Sequence, residues 1–480
     1  MSINAARMPE YVGPQAATTS PPATRRFFGH PAGLGWLSFC EFWERTSFYG
    51  MQALLVFYLS NYLLLPEHAG KVVGLSWLRS AVESLTGPRS SQQFASMLFG
   101  LYVGLVYFLP LLGGLVGDRW LGRTRTVVAG AILMATGHFL MAVEAALLPA
   151  LACLVVGVGA FKGNIAAQVS GLYAEDDTRR PAAFQIFILT VQLAAIVAPV
   201  LCGTLGERVG WHWGFASAGV FMLFGLAAYL CGRRWLPPEP PRAKAAGPQA
   251  TSAALSRSDW VRTGLLFLIL PMLALATVGY GQMGNGYALW SQKHMDMNLA
   301  GFLIPVTWLQ TADGICRTLS MLIAMAFWRW WAQRGIEPDE LAKIATATLF
   351  AAIAPALLML PALSVEAGGG RFSIAWTFAY SLVNALAFAT IVPVGLALYT
   401  RVAPAGLRGL MIGIYFLHVF AGSIAVGWLA GLLETVPGST FWGLHAGLVA
   451  AAGIGLLLVK LAFGRSLAPK PAPAGVPGAR

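Results

Sequence analysis

Apolar runs of about twenty residues recur along almost the whole chain, and a run of that length is what an α-helix needs to cross a hydrocarbon core roughly 30 Å thick. They fall near residues 35–62, 94–116, 124–146, 148–172, 183–206, 213–232, 260–287, 301–328, 341–364, 373–399, 406–433 and 439–463, which predicts about 12 transmembrane helices. Of the 480 residues, 57% are hydrophobic and only 11% charged, whereas a soluble domain carries roughly 25% charge. The expected fold class is therefore all-α and integral to the membrane.

Basic residues give the orientation. With the N-terminus inside, the cytoplasmic side collects Arg25 and Arg26, then Arg119, Arg123 and Arg125, then Arg179 and Arg180, the group Arg233, Arg234, Arg242, Lys244 and Arg257, then Arg401 and Arg408, and finally Lys460, Arg465, Lys470 and Arg480. The outer loops hold few beyond Lys71, Arg79 and Arg89. That bias predicts both termini in the cytoplasm, and it makes the net charge of +12 a topology signal rather than a nucleic-acid footprint.

The segment 233–259, rich in Pro, Ala and Ser, is expected to be a cytoplasmic linker. It divides the chain into a flexible cytoplasmic N-terminus 1–32, a six-helix bundle 33–232, a second six-helix bundle 260–464 and a flexible tail 465–480. No secretory signal peptide is expected at the start. Two such halves are the plan of a transporter whose site lies between them near the bilayer midplane. The long loop 64–93 carries a short apolar stretch, Val72 to Leu78, expected along the outer interface. Cys40, Cys153, Cys202, Cys231 and Cys316 are odd in number and lack CxxC spacing, so they read as packing residues, and neither a metal nor a cofactor is expected.

Ionisable residues inside such spans are costly and mark pathways, relays or paired charges. Glu41, Glu44 and Arg45 lie in the first span, three and four residues apart, and share one broad helix face on which Arg45 is expected to neutralise one carboxylate at a time. The carboxylate left over is a candidate proton site. Lys162 lies deep in the fourth span among small residues, where it either exchanges between a carboxylate and an anionic substrate or snorkels to the cytoplasmic interface. Asp313 and Arg317 are four apart in the eighth span and are read as a pair, structural or substrate-facing. Gln282 and Asn285 on the seventh either contact substrate or hydrogen-bond between helices. His418, alone in the eleventh span, is expected to pack between helices.

Glu41-Phe-Trp-Glu-Arg-Thr-Ser-Phe-Tyr-Gly50 resembles the first-helix ExxERFxYYG motif of the proton-dependent oligopeptide transporter family (POT, or PTR), a branch of the major facilitator superfamily; Thr46 and Phe48 depart from it. Gly113-Gly-Leu-Val-Gly-Asp-Arg-Trp-Leu-Gly-Arg-Thr-Arg125 resembles the superfamily loop between helices two and three. That likeness implies a gating role for Gly114, Asp118, Arg119 and Arg123. Phe161-Lys-Gly-Asn164 resembles the fourth-helix lysine segment, and Pro393-Val-Gly-Leu396 and Pro404 through Gly413 resemble the end of the tenth helix and the loop after it. The resemblance runs over roughly residues 30–435. It implies the major facilitator fold in two six-helix bundles, proton coupling by Glu41, Glu44, Arg45 and Lys162, and substrate contacts from Arg45, Tyr49, Lys162, Gln282, Asn285 and Asp313.

Two departures bear on the substrate. The fifth-helix signature FYxxINxG is here Phe187-Ile-Leu-Thr-Val-Gln-Leu-Ala194, with Gln192 and Ala194 replacing Asn and Gly. The tenth-helix glutamate that the resemblance implies as an anchor for a peptide's amino terminus aligns with Phe388, so either Asp313 has taken over that carboxylate or amine recognition has been lost. The linker is also too short for an extra helix pair, which favours twelve spans over fourteen. The expected function is proton-driven symport of di- and tripeptides or similar carboxylate-bearing solutes by alternating access. The alternatives are a solute without a free amine, such as an anion, or a non-transporting membrane sensor. No HExxH, GxSxG elbow or phosphate-binding glycine loop points to an enzyme. The expected partners are a small-molecule substrate, protons and the lipid bilayer, without nucleic acid, for a monomer in a bacterial inner membrane.

Overall fold

A computed structural model describes residues 26–174, 176–239, 256–404 and 407–467. Residues 1–25, 240–255 and 468–480 lie outside the described residues, and with them most of the expected N-terminus, linker and tail, including Arg25, Arg242, Lys244, Lys470 and Arg480. Ala405 and Gly406 of the Pro404 to Gly413 segment lie outside as well.

The long helices are α1 (Ala32–Tyr58), α2 (Ser91–Val116), α3 (Arg123–Leu140), α4 (Leu147–Gly171), α5 (Arg180–Ala198), α6 (Trp211–Gly232), α7 (Arg257–Gly281), α8 (Trp308–Ala332), α9 (Glu340–Glu366), α10 (Ala375–Val402), α11 (Arg408–Ala430) and α12 (Gly438–Leu467). With the turns that extend them, 9 are long and apolar enough to cross a membrane, among the described residues. The remaining α1, α3 and α8 carry arginines in the helix, Arg45 in the first, Arg123 and Arg125 in the second, Arg317 and Arg329 in the third. The apolar piece of the long first loop forms a separate amphipathic helix, Leu75–Thr86, with Leu75 buried and Trp77 exposed.

Local signals place the helix starts. Ser90 Oγ accepts from the Gln93 amide at 3.1 Å while Gln93 Oε1 accepts from the Ser90 amide at 3.3 Å, a reciprocal cap that begins α2. Ser256 and Asp259 repeat the device at α7, and Asp339 caps α9. Pro110, Pro271, Pro361 and Pro393 sit inside helices. A membrane bundle tolerates them because neighbouring groups satisfy the carbonyls they free.

The packing repeats itself six helices on. In the first half α1 packs on α6 and α5, α4 on α2 and α3, and α3 on α6; in the second, α7 packs on α12 and α11, α10 on α8 and α9, and α9 on α12. The two most extensive helix-to-helix contacts between the halves, α2 with α11 and α5 with α8, exchange under the same shift. This internal repeat, invisible in the residues, is plain in the arrangement, and it gives two six-helix bundles of the major facilitator type.

Small residues set how closely the halves approach. A Cβ at Gly100 on α2 would lie 2.4 Å from the Ser423 carbonyl oxygen and 2.8 Å from Gly427 Cα on α11, the close backbone approach that drives helix association in lipid. Gly100→Ala is therefore expected to force the two helices apart and to destabilise the protein by about 1–3 kcal/mol. A lowered thermal unfolding midpoint in detergent checks this.

The seventh span is not one helix. It breaks after Gly281, winds through Gln282–Gly284, and resumes as Gly286–His294. Asn285 at the break has φ −134° and ψ −101°, outside the helical range. Gln282 repairs the break by accepting the Gly286 amide at 3.0 Å on its own side-chain oxygen.

Candidate functional site

The charges of α1 converge as the spacing predicts, but Arg45 holds both carboxylates at once. Its Nε lies 3.1 Å from Glu41 Oε1, and its Nη2 donates to Glu44 Oε1 at 2.8 Å while Nε also contacts Glu44 Oε2. The single Nε–H is taken by Glu44, which also receives Nη2, so the hydrogen bonds go to one carboxylate and Glu41 is held at ion-pair distance by charge alone. All three residues are at most 4% exposed. Glu44 receives the paired contacts, and Glu41 receives one, leaving Glu41 Oε2 buried with no hydrogen-bond partner among the described residues.

Lys162 on α4 turns toward the bundle interior, with Nζ 4.4 Å from the centre of the Tyr107 ring on α2. Both carboxylates lie within its Coulombic reach. An inward ammonium over an aromatic ring does not fit a side chain snorkelling to the interface.

Between the halves lies a cavity of about 260 Å³, just under the roughly 300–1,000 Å³ of sites for drug-sized ligands. From the first half Tyr49, Gln52 and Tyr107 line it; from the second come Tyr280, Gln310, Asp313, Arg317, Phe388 and His418. Tyr49 is one helical turn beyond Arg45, so the buried charges sit directly behind this wall. Asp313 pairs with Arg317, Oδ2 to Nε 2.9 Å. Phe388 stacks on Tyr280 with ring centres 4.3 Å apart, so the position aligned with the missing glutamate does face the cavity.

Of the residues expected to touch substrate, Tyr49 and Asp313 lie on the wall, and Arg45 and Lys162 stand behind Tyr49 and Tyr107. Gln282 and Asn285 are fully buried away from it. Gln282 donates to the Val426 carbonyl at 3.2 Å and meets His445 Nε2 at 2.9 Å, and Asn285 donates to the Ser96 carbonyl at 3.1 Å. These are the helix-to-helix bonds that were the alternative for both. Sequence reasoning passed over Tyr107, Tyr280 and Gln310, which carry no charge and blend into the aromatic and polar background of the spans. It read His418 as packing.

In the loop between α2 and α3, Gly117–Leu121 is a widened helical turn carrying Asp118 and Arg119, and Asp118 pairs with Arg123 at 2.9 Å on the surface. Gly114 has open space around it. Gly117 is the tight glycine, since a Cβ there would lie 1.9 Å from Asn164 Oδ1 on α4. Gly122 turns the chain with φ +83°, in the left-handed region that favours glycine.

At the end of the bundle away from the linker the halves are joined by a polar seam. Glu207 accepts from the Val306 amide at 2.9 Å, the Thr307 amide at 2.8 Å and the Thr307 hydroxyl at 2.6 Å. Trp308 Nε1 donates to Thr204 at 2.9 Å, Asn61 to Gln292 at 2.9 Å and Lys293 to Gln92 at 2.7 Å, and Ser90 meets Glu434. The cavity is thus closed toward that end.

Comparison with known proteins gives a consistent result. The POT family profile matches residues 124–258 and 256–443. The chain is 28% identical over 517 residues to the peptide transporter YePEPT of Yersinia enterocolitica subsp. palearctica serotype O:3 (strain YE-P4), covering 92% of this chain and 96% of that protein. It is also 28% identical over 501 residues to a di-/tripeptide transporter of Lactococcus lactis subsp. lactis (strain IL1403), covering 91% and 96%. Among solved structures, a peptide transporter POT in complex with sulfate superposes with a TM-score of 0.78 at 25% identity, over 92% of this chain and 97% of that one.

Proposed function

The chain belongs to the POT family, a branch of the major facilitator superfamily, and on that premise we propose that it is a proton-coupled symporter of di- and tripeptides working by alternating access. The observation that carries the reading is Arg45 shared between Glu41 and Glu44, with Glu41 Oε2 left unpartnered behind the cavity wall. A proton added at that oxygen breaks no existing bond, and it loosens the hold of Glu41 on Arg45. Arg45 and Lys162 then have positive charge to spare for a substrate carboxylate reaching past Tyr49 and Tyr107. Loss of the proton to the other side restores the pair and releases the substrate.

In this reading Glu41 and Glu44 handle protons, Tyr49 and Asp313 shape the cavity, Gln282 and Asn285 hold the broken seventh helix in place, and Gly114, Asp118, Arg119 and Arg123 belong to the gate at the linker end. The moving bodies are residues 33–232 and 260–464, joined by the linker 233–259. The distribution of basic residues puts both termini and the linker in the cytoplasm, and the bacterial relatives favour a bacterial inner membrane. The protein acts as a monomer in lipid, without nucleic acid.

Phe388 on the cavity wall favours one second reading, a solute without a free amine. Uptake into proteoliposomes under an imposed proton gradient tests both readings. Accumulation of free di- and tripeptides above equilibrium is expected. Accumulation of amino-blocked peptides or simple carboxylates alone establishes the second reading, and no gradient-dependent uptake of any of them refutes the symporter.

A further inference from the structure

Two buried histidines in the second half use their rings in the same way and differ in one respect. His445 on α12 directs Nδ1 at the Phe441 carbonyl oxygen, 2.7 Å away, and its Nε2 lies 2.9 Å from Gln282 Nε2. His418 on α11 directs Nδ1 at the Tyr415 carbonyl oxygen. A carbonyl oxygen only accepts, so in both rings Nδ1 carries the proton and Nε2 is a bare lone pair. In His445 that lone pair receives the Gln282 amide. In His418, which is 1% exposed and lines the cavity between the halves, Nε2 is buried and has no hydrogen-bond partner among the described residues.

A buried acceptor without a donor calls for an explanation. Back-bonding through Nδ1 ties the near side of the His418 ring to its own helix and leaves Nε2 as the distal atom. Among the described residues that line the cavity from the second half the one carboxylate is Asp313, which is ion-paired with Arg317 at 2.9 Å. Phe388, stacked on Tyr280, offers no lone pair to an N–H group.

We infer that His418 Nε2 is the hydrogen-bond acceptor for a nitrogen donor of the substrate, its terminal ammonium in the first instance. The assignment rests on the symporter reading only in taking this cavity as the substrate site. It makes free-amine recognition the work of a neutral imidazole on α11 rather than of Asp313. The charge-assisted bond to a neutral acceptor fixes the amino end while the carboxylate end is drawn to Lys162 and Arg45.

The test is equilibrium competition without a gradient, in detergent, using alanyl-alanine and N-acetyl-alanyl-alanine as probes. In the parent protein the free peptide is expected to compete at least about tenfold better than the acetylated one, the range of a hydrogen bond to a charged group. His418→Phe keeps a ring and removes the lone pair, and it should erase that preference. His418→Gln, which supplies a carbonyl acceptor, should keep much of it. An undiminished preference in His418→Phe, or loss of preference in Asp313→Asn with His418 intact, overturns the assignment.

A measurement on the parent protein stands independently of how the variants fold. With ¹⁵N-histidine labelling, one bare Nε2 resonance should move on addition of alanyl-alanine and stay in place with the acetylated form. No movement with either probe overturns the assignment. Failure of the symporter reading looks different, because a protein that binds free amines through His418 yet never accumulates them under a gradient refutes proton coupling and leaves His418 standing.

Discussion

Glu41→Gln is expected to abolish gradient-driven accumulation while leaving substrate exchange measurable. A proton gradient of one pH unit is worth about 1.4 kcal/mol, or tenfold in concentration, for each proton moved with the solute. A variant that carries no proton therefore equilibrates its solute and stops. Exchange across the membrane involves no net proton movement and should continue. Glutamine preserves the shape at residue 41, and Arg45 keeps its contacts to Glu44, so the variant should insert and fold. Glu44→Gln should also lose accumulation, with a larger loss of thermal stability, because Glu44 receives the paired bonds of the buried guanidinium. Proteoliposome uptake and counterflow, measured side by side, check both. Undiminished concentrative uptake in both variants rejects the coupling role.

Lys162→Ala is expected to end proton-driven uptake altogether. The ammonium lies within Coulombic reach of both carboxylates and against Tyr107 on the cavity wall. Its removal leaves the cluster with two carboxylates and only Arg45 to balance them. Lys162→Arg keeps the charge but should not restore full activity, since a guanidinium has a pKa above about 12 and cannot release its proton in the cycle. Transport by Lys162→Ala at the parent rate makes the lysine a packing residue.

Much of this molecule was legible in the chain. Spans near 35–62 and 341–364 became Ala32–Tyr58 and Glu340–Glu366, and the charges of α1 announced themselves because lipid makes any ionisable residue conspicuous. Less visible was how neutral polar residues divide between packing and binding. Gln282 and Asn285 could be read from the chain either as cavity residues or as bonds between helices, and the break after Gly281 makes them braces. His418 was read as packing because a lone histidine has no partner in sequence. Only the contrast with the satisfied ring of His445 brings out that His418 Nε2 lacks a partner among the described residues. The internal repeat was legible only as a division of the apolar spans six and six, and its detail lies in which helix touches which.

The seam at the end away from the linker has a consequence for the balance between conformations. It is built from Glu207, Asn61, Lys293, Trp308 and their partners, groups that water can serve nearly as well as each other. Exchanging one such bond for bonds to water changes the free energy by about 0.5–1.5 kcal/mol, or about 1.5–3 kcal/mol where Glu207 or Lys293 supplies a charge, whereas exposing an apolar contact costs roughly 25 cal/mol for every Å². A polar closure is therefore one that water can replace bond by bond as the end opens. A solute binding one form more tightly than the other shifts the ensemble toward that form.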